Sequence, residues 1–213
     1  MEYLLIQKRS FFALSEGKLL GFILSKLGIH IDPDRIKEIS EISLPHNKKA
    51  MQSFPGQTNF VKRFVPDFSR IMSPLQAMMK KNSLFKWGHA EHEVFSLIKQ
   101  AIINAPSLAT PNFSDPFTLY TFASEKSYAA IFTQVNQDKY KAPIAFFSSN
   151  LQGAELNYSD FEKQAYAIFK AVKYFRPFLL KSHTKIIILF STVRNLLVQK
   201  DVGEKRENWV MTL

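Results

Sequence analysis

Apolar positions along this chain recur at helical spacing in four stretches and cluster as strand-like runs in four others. Ile36, Ile39 and Ile42 put one stripe on a helix that Asp32 caps and Pro33 begins. Residues 28–33 and the string Leu44-Pro45-His46-Asn47 read as breaks. Met51, Phe54 and Val61 mark 48–64 as helical, with Pro55 and Gly56 dividing it into two short pieces. Residues 91–103 carry Val94, Phe95, Ile98, Ala101 and Ile102 on one helical face. The clearest helix is 159–175, where Phe161, Ala165, Ile168, Val172 and Phe175 form a continuous seam that Pro177 ends. Between the last two helices, 117–123, 128–134 and 143–149 are rich in β-formers, and 135–141 reads as a hairpin loop. Residues 186–190 make a short strand of the fully buried type. Three strands, a helix and another strand predict an α/β arrangement with a mixed sheet, preceded by a mostly helical region, with a boundary near Pro111.

Composition narrows the chemistry. The 213 residues are 46% apolar and 22% charged, enough for a real core and too hydrophobic for wholesale disorder. Cysteine is absent, which excludes disulfide frameworks, thiol nucleophiles, iron–sulfur clusters and cysteine-ligated zinc. The longest apolar run, 186–190, falls far short of the ~20 residues of a membrane helix. Residues 3–6 are too short for a signal-peptide core, and Lys8 and Arg9 follow rather than precede them. A soluble chain, cytoplasmic or nuclear, is the expectation. Lys plus Arg number 28 against 18 Asp plus Glu, a formal charge of +10 carried by both halves, which favours a polyanionic partner. No phosphate loop, dinucleotide fingerprint or adjacent Asp-Asp pair occurs. His89 and His92 lack a third ligand nearby and read as a solvated helix start. The 29 aromatic residues sit mostly at core spacing and do not read as stacking platforms.

Several strings, taken in order, carry more information than any one alone. They are Gly17-Lys18-Leu19-Leu20-Gly21-Phe22-Ile23; Asn59-Phe60-Val61-Lys62-Arg63-Phe64-Val65-Pro66-Asp67-Phe68-Ser69; Phe85-Lys86-Trp87; Ala105-Pro106-Ser107-Leu108; Pro143-Ile144-Ala145-Phe146-Phe147-Ser148-Ser149; and Asn157-Tyr158-Ser159 with Glu162-Lys163. From about residue 8 to 209 the chain resembles the reverse transcriptase–RNase H polyprotein of gypsy-class LTR retrotransposons. The resemblance implies three regions: 1–28, the end of a polymerase palm whose active site is missing; 29–110, a thumb/connection-like region; and 111–213, an RNase H-like domain truncated at its C-terminus. The implied fold class is α/β, a mostly helical connection-like N-terminal region followed by an RNase H-like mixed β-sheet with flanking helices. Polymerisation is excluded, because the palm carboxylates that hold its two metal ions are absent.

Members of that family cut the RNA strand of a hybrid with acidic residues that hold two Mg²⁺ ions. Carried onto this chain, the first acid position is Phe122, in Thr121-Phe122-Ala123-Ser124, and the third is Ser191; neither is a carboxylate. Glu162 survives as the second, a candidate catalytic and metal-binding residue. It is equally the fourth member of a Ser-x-x-Glu capping box starting at Ser159. Glu125 and Asp160 are candidate replacement acids that would join Glu162 around a Mg or Mn ion, or else solvated surface carboxylates. Lys62, Arg63, Lys163, Lys170, Lys173 and Arg176 are candidate nucleic-acid-binding residues, with Lys80, Lys81 and Lys86 extending the positive surface; the other reading of the helical row is an ordinary solvated face. The resemblance thus implies a retroelement-derived, RNase H-like protein that binds double-stranded RNA or an RNA/DNA hybrid. It further implies cleavage as a metal-dependent endoribonuclease in antiviral defence, with viral replication proteins as further partners. The alternative is a catalytically dead duplex-binding or protein-interaction module.

Overall fold

A computed structural model of the chain describes residues 15–80, 83–188 and Val193. The first three strands, β1 (Glu16–Leu19), β2 (Phe22–Ser25) and β3 (Gly28–Ile31), form an antiparallel meander. Leu20 and Gly21 both take positive φ (52° and 81°), the two-residue hairpin geometry that matches strand twist. Residues 28–31 are therefore a strand and not the expected break. Gly28 has φ 136°, and a Cβ there would collide with the Leu108 carbonyl. Ile29 and Leu108 exchange both backbone bonds (2.7 and 2.9 Å), which pins the 105–109 connection to this sheet.

Helix α1 (Pro33–Glu41) starts as its proline predicts, with the Asp32 carboxylate accepting from the Asp34 N–H at 3.2 Å. Its C-terminus is closed from outside: Lys99 donates to the carbonyls of Ser40 (2.9 Å) and Ile42. Helix α2 (Lys48–Thr58) runs unbroken through Pro55 and Gly56, contrary to the two-piece expectation. Met51, Phe54 and Thr58 are fully buried on its inner face, and that burial outweighs the single backbone bond the proline removes. The change of geometry comes later, in the 3-10 turn Asn59–Phe64, whose three-residue period puts Val61 and Phe64 into the same core.

Helix α3 (Phe68–Met79) is obscured in the sequence pattern by Ser73, Pro74 and Gln76, yet buries Phe68, Met72, Leu75 and Met78. Helix α4 (His89–Ile103) begins in a Gly88 cap closed by Glu91, which accepts from the Gly88 N–H at 2.9 Å.

The larger sheet has order β6-β5-β4-β7, built from β4 (Phe117–Ala123), β5 (Ser127–Val135), β6 (Lys141–Asn150) and β7 (Thr184–Ile187). Only the β4–β7 pairing is parallel, so the sheet is mixed as expected. The last strand begins two residues before the predicted one, and residues 189–190 lie outside the described set. Helix α5 (Asp160–Leu179) continues past Pro177 because Phe178 is held between the Phe113 and Phe132 rings (6.4 and 5.5 Å). It covers one face of the sheet over Phe117, Leu119 and Phe132, its own Phe175 stacking on the Phe132 ring at 4.8 Å.

Among the described residues, the opposite face is covered most fully on one side. On the β5–β6 side, Ile131 and Phe146 join the core of the N-terminal helices. Ser69 donates its N–H to Ser148 Oγ (2.9 Å) and its hydroxyl to the Ser148 carbonyl (2.8 Å). Among the described residues the β4–β7 side is more open, with Phe122 and Lys185 exposed.

Candidate functional site

Capping chemistry decides the position of Glu162. It is the third residue of α5, and its Oε2 accepts from both the N–H (2.9 Å) and the hydroxyl (2.8 Å) of Ser159. The Ser159 hydroxyl in turn accepts from the Glu162 N–H at 3.4 Å, a closed box that turns the carboxylate back onto its own helix start. Phe122 is 42% exposed and contributes to a cleft with Pro66, Asp67 and Arg70 of the N-terminal layer. Its neighbour Thr121, 3% exposed, points the other way, as strand alternation requires. Phe122 and the helix bearing Glu162 thus lie against different faces of the sheet.

Glu125 and Asp160 are both exposed, the first in the β4–β5 turn and the second in the opening turn of α5. The expected assembly of Glu125, Asp160 and Glu162 does not form. Among the described residues, no three His, Asp or Glu side chains group in a way that could hold a metal ion. Mg²⁺ demands several fixed oxygen ligands, and a carboxylate already engaged by two donors beside two solvated ones does not supply them. These residues do not fit the expected metal. Ser191 lies outside the described residues.

The row of cations on α5 is also revised. Lys163 is only 8% exposed, because it shares its face of α5 with Ala167 and Ala171, small residues that bring the helix close to the sheet. Lys170 lies over the Tyr166 ring at 4.9 Å. Lys173 and Arg176 alone of that row are exposed. Lys62 is exposed, whereas Arg63 is half-buried and its Nε has no hydrogen-bond partner among the described residues.

A different cationic grouping emerges at the α2–α3–α4 junction. Lys48 donates to the Lys80 carbonyl (2.9 Å), holding the start of α2 against the end of α3. Trp87 Nε1 donates to the Pro45 carbonyl (2.7 Å), drawing the segment before α4 to the same place. Lys49, Lys80 and Lys86 stand exposed around this junction with no ionic partner among the described residues. Lys81 is outside them. By contrast Lys18, Arg35, Lys37 and Arg70 are all ion-paired.

The outer sheet face holds residues that the sequence did not mark as a contact surface. Thr118, Tyr120 and Phe122 share the outward face of β4, and Lys185 of β7 is in register with Thr118. Lys141 lies 5.0 Å over the Tyr120 ring and donates to its hydroxyl. Beside Phe122 opens a cleft of about 210 Å³ between sheet residues such as Tyr128, Ala129, Ile131 and Phe146 and the N-terminal Pro66, Asp67 and Arg70. The alternation in Phe117-Thr118-Leu119-Tyr120-Thr121-Phe122 was the available signal: it puts Tyr120 and Phe122 on the face opposite Phe117 and Leu119.

Behind the sheet, Tyr166 donates to Glu155 Oε1, and both it and Tyr128 are buried. Burial, reinforced by the hydrogen bond to the Glu155 carboxylate, holds the Tyr166 hydroxyl well above its ordinary range. Burial likewise raises Tyr128, partly offset by a hydrogen bond with Ser149. No described helix is long and apolar enough to cross a membrane.

Comparison with known proteins agrees with this architecture. A family model for the RNase H-like domain found in reverse transcriptase matches residues 87–186. The Transposon Tf2-3 and Tf2-4 polyproteins of Schizosaccharomyces pombe are each 29% identical over 191 residues, 90% of this chain. The chain spans 14% of the length of those polyproteins. A foamy viral protease-reverse transcriptase in complex with double-stranded DNA superposes with TM-score 0.76 at 25% identity, covering 92% of this chain and 35% of that one. A foamy viral protease-reverse transcriptase in complex with RNA/DNA hybrid gives TM-score 0.76 at 24% identity, covering 92% of this chain and 27% of its own.

Proposed function

We propose that this chain, whose residues 87–186 match the model of the RNase H-like domain found in reverse transcriptase and which is similar to retroelement polyproteins, is a duplex-binding module that does not cut its nucleic acid. The observation that carries the reading is the engaged state of Glu162, whose Oε2 is held by Ser159 within a capping box, while Phe122 stands on another face of the sheet. Hydrolysis by two metal ions requires oxygens converging on the attacking and leaving groups, and a helix cap opposite a phenyl ring offers no such convergence.

Binding needs less. A duplex is held chiefly through its phosphates, and each neutralised phosphate displaces condensed counterions. The uncompensated cations Lys49, Lys62, Lys80 and Lys86, with Lys173 and Arg176 on α5, supply that chemistry without reading bases. A similar foamy viral protein in complex with double-stranded DNA supports the duplex as the partner class. Double-stranded RNA and hybrid fit the same phosphate-directed recognition through A-form shape.

The test is a salt series on the full chain with double-stranded RNA, hybrid and double-stranded DNA. Affinity should fall steeply and linearly on a log–log plot, and Glu162→Gln should bind as the parent does. Lys49→Ala with Lys80→Ala should make the slope shallower by about one for each phosphate no longer neutralised. Mg²⁺- or Mn²⁺-dependent cutting that disappears in Glu162→Gln would overturn the reading.

A further inference from the structure

We infer that the outer face of β4, where among the described residues Phe122 is exposed and Tyr120 half-buried, is a platform for an unpaired nucleic-acid strand, separate from the cations of the α2–α3–α4 junction. Tyr120 and Phe122 stand two residues apart on one face of β4, roughly 6.8 Å along the strand. Nucleotides stacked in a duplex repeat at about half that interval, ~3.4 Å. Only an unstacked strand places successive bases far enough apart to meet both rings, and only unpaired bases offer their faces freely.

The charge around the rings suits a phosphodiester chain. Lys141 lies over the Tyr120 ring, and Lys185 extends from β7 on the same face without an ionic partner among the described residues. Acidic groups are present but sit at the margin. Asp67 at the rim of the cleft is paired with Arg70, and Glu125 lies in the exposed turn beyond Phe122.

The cleft adds a pocket next to the exposed ring. At about 210 Å³, lined by Phe122, Ala129, Ile131 and Phe146 with the Asp67–Arg70 pair at its rim, it has the size and mainly apolar wall to take one base with its face against Phe122. The hydroxyls of Ser124 and Ser127 at its end bond each other at 3.0 Å and serve the β4–β5 turn. Recognition there is therefore by stacking, and tolerant of sequence.

The experiment is fluorescence anisotropy of the full chain with labelled oligothymidylate and oligouridylate of about a dozen nucleotides, run beside a duplex of equal length. Phe122→Ala and Tyr120→Ala should each weaken single-strand binding about 5- to 150-fold, the range for removal of one base–aromatic stack. The same variants should leave duplex binding unchanged. Phe122→Trp, at an exposed position that core packing does not constrain, should retain affinity and lose indole emission when the strand binds. Absence of single-strand binding, ring variants that bind as the parent does, or an equal weakening for duplex and single strand would each overturn the platform. A chain that takes single strands but not duplex would support the platform and defeat the duplex reading instead.

Discussion

Replacing Glu162 separates a helix cap from a metal ligand, because the two roles respond oppositely to the same substitutions. As a cap, Glu162 accepts the N–H and hydroxyl of Ser159, so Glu162→Ala leaves both donors to water at the first turn of α5. A capping side chain is worth ~1 kcal/mol, within a range of about 0.5–2. That cost reaches the whole fold, since α5 buries eight side chains, among them Ala165, Ile168 and Phe175, against the sheet. Glu162→Ala and Ser159→Ala should therefore each cost about 1 kcal/mol, a shift of about 2–4 °C for a chain of this size. Glu162→Gln keeps an oxygen acceptor in the box and should cost only a few tenths of a kcal/mol. The double alanine variant should cost about 0.5–1 kcal/mol less than the sum of the two single variants, because both singles break one box. Thermal melts and urea unfolding followed by circular dichroism, with and without Mn²⁺, measure all of this. Additive costs, together with a Mn²⁺-dependent stabilisation that Glu162→Gln removes, would refute the reasoning.

Three further outcomes follow from the packing. Tyr128 and Tyr166 have hydroxyls held above their ordinary range, so the folded state keeps protons that the unfolded chain releases; stability should be flat below about pH 10 and fall as pH rises beyond it, less steeply in Tyr166→Phe, as read from urea midpoints across alkaline pH. Gly28→Ala drives a methyl group into the Leu108 carbonyl at a positive φ and should cost more than the ~1–3 kcal/mol of backbone strain alone, whereas the control Gly17→Ala, with open space around it, should cost little by the same thermal melt. Ser148→Ala leaves the Ser69 N–H without its acceptor between the N-terminal layer and the sheet; a destabilisation of about 1–3 kcal/mol is expected, against about 0.5–1.5 for Ser69→Ala, and native-state hydrogen exchange at Ser69 and Arg70 should report the difference.

Local sequence by itself determined the elements whose signals are local. The α5 seam from Ala165 to Phe175, the Asp32–Pro33 start of α1 and the strand-forming run 117–123 depend on side-chain spacing and caps within a few residues, and each stands where the pattern put it, although Phe161 at the head of the expected seam is 43% exposed. The family strings likewise survive as strings whatever the fold does with them. Tertiary structure alone decided whether a proline ends a helix: Pro55 and Pro177 are both overridden, because Phe54 and Phe178 gain partners from distant segments that outweigh one missing backbone bond. It also decided which charges are available. Lys163 is as polar in sequence as Lys49, but one lies along an alanine-lined approach to the sheet and the other at an open junction. A side chain's exposure depends on what packs over it from elsewhere in the chain, and spacing carries no record of that. The same reason hid the exposure of the Tyr120 and Phe122 face: the N-terminal core takes in Ile131 and Phe146 but, among the described residues, leaves Phe122 42% exposed.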